Sequence, residues 1–315
     1  MALPDSALPY WRQQQSVNFT AVAIASRAWR TSGGDLDRWM SARPLLVSSL
    51  TRAQETLVGN AEAFIDRVLA EQSIDVEPLA TVDAKPLLGF SSTGVSLTRL
   101  HEGLPNLLAA NMAQTESRQA AMDMTTRQFQ ASVQTLMSDT SRNAESLHIA
   151  VRPGVGYVRM LVPPSCERCV VQAGKYFRWN TGFKRHPRCD CRHIPSRERG
   201  SGDLRVNPKG YFHSLTAEAQ EQTFGKAAAQ AIRDGSDISQ VVNADRGMQT
   251  AQVYGRELKI TLEGVTRYGR AGRLMQARGR SAATTPRLMP ETIYQIAEDR
   301  DDAVRLLKLN GYIAE

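Results

Sequence analysis

The sequence predicts a mainly α protein, with a helical N-terminal domain over 1–150, a small α+β module over 151–200 and a helical C-terminal region over 201–315. Three observations carry this. Apolar residues recur at helical spacing through much of 14–71 and 107–143, strand-like runs rich in Val and Tyr begin only after Pro153-Gly154, and all four cysteines fall between 166 and 191.

Taken in order, the first helix is expected over Gln14 to Trp29, with Val17, Ala21, Ile24, Ala25 and Ala28 on one side. Ser32-Gly33-Gly34-Asp35 ends it and caps the next. Thr51 to Glu71 reads as one amphipathic helix opened by a Thr51-x-x-Gln54 capping box, with Leu57, Phe64, Ile65 and Val68 on its apolar face. Pro78 to Gly94 is a connector. A third helical stretch runs from about Leu107 to Asn143, its Met112, Met122, Met124 and Met137 serving as adaptable core filler. Val155 to Val162 and Lys175 to Trp179 read as strands, and Ser196 to Gly210 as a polar linker. Helix returns over Thr216 to Asp234 and from Asp237 to about Ala244. Pro290 marks a final helix start and Asn310-Gly311 a helix stop.

A chain of 315 residues with 42% apolar and 23% charged residues has the composition of a globular protein, which excludes disordered, collagenous and coiled-coil classes. No apolar run approaches the ~18 residues of a membrane span, and residues 1–15 lack the basic and apolar regions of a leader, so synthesis and folding in a cytoplasm are expected. The net charge of +7 is unevenly spread. Residues 1–80 carry −2, 81–150 −1, 151–210 +9 and 211–315 +1. A second cluster, Arg267, Arg270, Arg273, Arg278, Arg280 and Arg287, has no acid between Glu263 and Glu291.

The cysteines follow the pattern Cys166-x2-Cys169-x19-Cys189-x-Cys191. A Cys-x2-Cys turn aims two thiolates at one ion, and a second pair returned by a hairpin completes the tetrahedron of a structural Zn2+ site. Cys166, Cys169, Cys189 and Cys191 are therefore the metal-ligand candidates. His186 and His193 flank the second pair; His186 is the alternative ligand, its other role being to orient the turn before Pro187. Disulfides need an oxidising compartment, and inert thiols have no reason to gather beside Arg168, Arg185, Arg188 and Arg192, but both remain alternatives to zinc. Four thiolates close the coordination shell, which disfavours a catalytic metal. With zinc bound, four thiolates (−4) and the metal (+2) take the 151–210 block from +9 to +7 and the chain from +7 to +5.

Through Cys166-x2-Cys169, Gly174 and His186-Pro187-Arg188-Cys189-Asp190-Cys191, the sequence resembles the Mu F-like minor head proteins of tailed bacteriophages. The helical N-terminal part, Phe224 to Met248, Arg287 to Glu291 and Gly311 to Ile313 are similar to versions from phages of actinobacteria. The resemblance implies a minor capsid structural protein of the virion head, present in few copies. Its expected partners are the portal protein and other procapsid components, with possible non-specific contact with packaged DNA, no membrane, and possible ejection with the genome.

Two other classes compete. Homologues of this type are sometimes called capsid maturation proteases, but no Gly-x-Ser-x-Gly elbow or His-Glu-x-x-His occurs, and none of the five histidines declares a triad, so no catalytic residue is proposed. A zinc-containing nucleic-acid-binding protein would use the +9 block and the Arg267–Arg287 cluster, and Lys226 to Ala244 echoes a helix-turn-helix with a poor apolar pattern at Gln230 and Asp234. A His-Asn-His nuclease needs a histidine beside an acid, and no Asp-His or Glu-His dipeptide occurs.

Overall fold

The computed structural model describes residues 3–161, 165–182, 191–204, 206–253, 255–280 and 285–314. The chain is mainly α, as expected, and carries two small antiparallel sheets. It divides into two compact units, Met1–Val162 with Gly174–Arg205, and Pro163–Ala173 with Val206–Glu315.

The first unit is built on long helices: α1 (Ala7–Ser32), α2 (Leu36–Gly59), α3 (Ala61–Glu71), α4 (Leu97–Glu102), α5 (Leu104–Met112) and α6 (Arg118–Ala150). Gly33, at φ 61°, turns the chain out of α1, and the Asp35 carboxylate accepts the Arg38 amide at 2.9 Å to start α2. The expected start at Thr51 is corrected. Thr51 lies inside α2, its hydroxyl donating to the Val47 carbonyl, and the expected single helix to Glu71 breaks at Gly59-Asn60. The stretch expected from Leu107 to Asn143 is likewise two helices, α6 opening where Ser117 caps the Ala120 amide.

Where α1, α2 and α6 meet, Trp29, Trp39, Leu50, Phe129 and Val133 are buried together. Trp39 stands edge-on to both Trp29 (5.3 Å) and Phe129 (5.8 Å), and its indole N–H donates to the His101 carbonyl at 2.9 Å. A second apolar cluster joins Tyr10 and Phe64, stacked at 3.7 Å, to Ile65, Val68, Ile149 and the sheet residues Tyr157, Val158 and Ile194.

That sheet consists of β1 (Gly156–Met160), β2 (Tyr176–Arg178) and β3 (Arg192–Ser196) in the order β2-β1-β3. The expected strands over Val155 to Val162 and Lys175 to Trp179 are β1 and β2. The third strand, missed by the sequence, pairs with β1 in the register Val158 to Ile194. All five residues of both β1 and β3 are buried, so neither shows the alternation that marks a half-exposed strand.

In the second unit α7 (Glu167–Gln172) is joined by α8 (Pro208–Ser214), α9 (Ala217–Phe224), α10 (Lys226–Arg233), α11 (Ile238–Ala244), α12 (Arg270–Ala277), α13 (Pro290–Ile296) and α14 (Arg300–Leu309). Thr216, Asp237 and Asp299 cap α9, α11 and α14 through their side chains. The C-terminal region, expected as helical, also holds a sheet of β4 (Met248–Val253), β5 (Arg256–Thr261) and β6 (Arg287–Leu288), in the order β4-β5-β6. Phe212, Ile232, Val242, Met275, Ile293, Leu307 and Tyr312 are buried in this unit. No helix among the described residues is long and apolar enough to cross a membrane.

Candidate metal centre and a buried polar cluster

Cys166 sits at the cap position of α7 and Cys169 one turn inside it, so the Cys-x2-Cys spacing places both side chains on one side of a single helical turn. Their sulfurs stand 3.4 Å apart. A disulfide would bring them to about 2.05 Å, and none links the described cysteines. Two sulfurs on one tetrahedral zinc, each at ~2.3 Å, are about 3.8 Å apart, so this pair fits a shared ion after opening by a few tenths of an ångström. Soft thiolates are also the donors that zinc prefers over hard cations. Cys191 is buried at the head of β3, where its carbonyl accepts the Arg142 Nε–H at 2.9 Å. Cys189 and His186 lie outside the described residues. Among those described, no group of three or more His, Cys, Asp or Glu side chains is placed to hold a metal.

The first unit also contains a polar centre that the sequence did not signal. Glu145 of α6 is fully buried; its Oε1 accepts from Ser141 Oγ at 2.9 Å and Gln14 Nε2 at 3.3 Å, and its Oε2 lies 3.6 Å from His193 Nδ1. Burial raises the Glu145 carboxyl pKa, opposed first by the nearby Arg192 charge. The Ser141 hydroxyl is given to the carboxylate and not to a histidine, so this is not the nucleophile–base order of a hydrolase. What the cluster does is lock α1, α6 and β3 together through groups that each need a partner in the interior.

Among its described residues, the basic block is part buried and part exposed. Arg152, Arg159 and Arg192 are all buried, Arg152 bonding Asp66 and the His148 carbonyl, whereas Arg168, Arg178, Arg197 and Arg199 face outward. The C-terminal arginine cluster also divides. Arg287 is buried with its guanidinium 4.4 Å from the Tyr312 ring, Arg270 pairs with Asp237 at 2.8 Å, and Arg278 and Arg280 donate to carbonyls near the chain's end. Arg267 and Arg273 stay exposed, Arg267 lying over Tyr268 at 5.2 Å. The helix-turn-helix echo becomes α10, a turn through Gly235 at φ 100°, and α11. Ile238, Val241, Val242 and Ala244 of α11 are buried and Ser239, Gln240 and Asn243 half-buried, so α11 offers little surface to a DNA groove.

His101 of α4 is buried edge-on to Phe129 at 5.3 Å, and burial lowers its pKa to about 4. The Leu97 backbone pulls the other way, and the Arg43 charge adds to the lowering. An unfolded histidine takes a proton below about pH 6.5. The unfolded state therefore binds more protons between pH 6.5 and about 4. Stability should be intact above pH 6.5 and fall by about 3 kcal/mol as pH drops through that window. Urea titrations of wild type and His101→Phe from pH 7 to 4 check this, the variant showing a flatter profile; parallel profiles would refute it.

No known protein family, curated protein or solved structure matches the chain.

Proposed function

We propose that the chain is a minor head protein of a tailed bacteriophage, of the Mu F-like kind, with Cys166, Cys169, Cys189 and Cys191 holding one structural Zn2+. The observation that carries this is the facing Cys166–Cys169 pair, its sulfurs 3.4 Å apart, set in a sequence that continues to His186-Pro187-Arg188-Cys189-Asp190-Cys191. The metal, when bound, supplies folding free energy and no chemistry on a substrate. In this reading the α7 turn supplies the first pair of thiolates, and in the other unit the Cys191 carbonyl is held by the Arg142 Nε–H. A positioning role in the head accords with the burial of Glu145, whose carboxylate is spent on internal bonds.

The partners in this reading are the portal and other procapsid components. Co-expression with the cognate portal followed by sedimentation tests it: the chain should travel with portal assemblies before and after DNase treatment. Failure to co-sediment, or loss of co-sedimentation with DNase, would overturn the docking claim.

Weak, sequence-independent contact with packaged DNA belongs to the same reading, favoured by the exposed Arg267–Tyr268 stack and the exposed Arg273. Each phosphate contact contributes ~0.9 to the slope of log affinity against log salt. Arg267→Ala with Arg273→Ala should therefore lower that slope by about 2 in a fluorescence titration with duplex DNA. An unchanged slope removes this surface from the account.

A further inference from the structure

α1 and α2 turn an apolar groove outward on the side away from their buried tryptophans. Its volume is about 1090 Å³. Small residues, Ala23, Ala28 and Ala42, hollow it out, and the buried Leu46 contributes to its lining. Phe19 and Leu45 also line it and are 77% and 71% exposed, although each is large enough to be worth burying. Charge is arranged around the same groove. Arg27 comes from α1 and Arg38 from α2, so each helix contributes one cation; both are exposed, and neither has a carboxylate partner among the described residues. Asp37 is the one acid among the lining residues, leaving a net charge of +1.

We propose that this groove binds an amphipathic helix of a partner protein that places an apolar stripe on Phe19 and Leu45 and carries acidic residues on both flanks, facing Arg27 and Arg38. A groove between two antiparallel helices takes a third helix through anchors at i, i+3 or i+4, and i+7. The span from Phe19 to Ser32 is about 20 Å at 1.5 Å per residue, room for roughly thirteen residues of a bound helix. The flanking cations disfavour a basic helix and set the sign of the preferred partner. This surface stands whatever the four cysteines hold.

The probes are two synthetic helical peptides of about fourteen residues with leucine anchors at that spacing, one with glutamates on both flanks and one with lysines in their place. Fluorescence anisotropy with the full chain should give affinity for the acidic peptide at least about tenfold above that for the basic one. Phe19→Ala with Leu45→Ala should weaken it by about tenfold or more. Both side chains are mostly exposed, so circular dichroism should be unchanged. Arg27→Glu with Arg38→Glu should invert the preference, which a general loss of folding would not do. Equal binding of the two peptides to wild type, binding of neither, or an unchanged preference in the charge-reversed variant overturns the proposal. So does concentration-dependent dimerisation abolished by Phe19→Asp, which would give the groove to a second copy.

Discussion

Trp39→Ala is expected to remove about 3 to 5 kcal/mol from the first unit, the range for emptying a buried large aromatic site. Trp39 is fully buried between Trp29 and Phe129, with both neighbours edge-on to it, so the cavity is bounded by rigid rings that collapse poorly. A second loss is smaller. The His101 carbonyl loses the indole N–H that reaches it at 2.9 Å, worth about 1 kcal/mol as a net hydrogen bond. Trp39→Phe keeps most of the ring packing and isolates that bond, so it should cost about 1 to 2 kcal/mol. Urea unfolding monitored by far-ultraviolet circular dichroism measures both. A cost under about 1 kcal/mol for Trp39→Ala would mean that the three aromatic rings do not form the centre of this core.

Gly272→Ala should be the most damaging small substitution in the second unit. In an open helix the exchange would gain about 1 kcal/mol, because alanine has the higher helix propensity. At Gly272 the added Cβ would fall 2.0 Å from the Thr266 carbonyl oxygen and 2.8 Å from that of Val265. Both obstacles are backbone, so no flexible side chain can step aside. Steric exclusion outweighs propensity, and a loss above about 4 kcal/mol is expected. Gly311 shows the same kind of contact, its Cβ position lying 2.8 Å from the Ala271 carbonyl oxygen, so the start of α12 is clasped from two sides. A variant at Gly272 as stable as wild type would show that this approach is not maintained in solution.

The helices were legible where one face is apolar and a cap is local. The α1–α2 turn could be read from Ser32-Gly33-Gly34-Asp35 because each of its residues acts on its own neighbours. Thr51-x-x-Gln54 misled because a threonine inside a helix can return its hydroxyl to the carbonyl four residues back, as Thr51 does to Val47, while Gln54 is spent on the Phe90 carbonyl and Thr140. β3 was hidden by composition: Arg192 and His193 look like surface residues until Glu145 and Ser138 are placed beside them by a helix some fifty residues earlier in the chain. β4 and β5 did carry a signal, since Leu258 and Ile260 alternate with Glu257 and Lys259 around a turn at Gly255. At the candidate site, the closeness of Cys166 and Cys169 follows from their spacing alone. The Glu145 centre depends on long-range packing, and no local pattern announces it.

The proposed structural zinc on four thiolates fixes the metal content expected of the purified chain. Elemental analysis of the full chain, purified without chelator, tests it most directly. About one zinc per chain is the predicted result, lost in the Cys166→Ser, Cys169→Ser double variant together with a lowered unfolding midpoint. A metal-free preparation that is fully folded, with an unfolding midpoint unmoved by chelator or by that double variant, would contradict it.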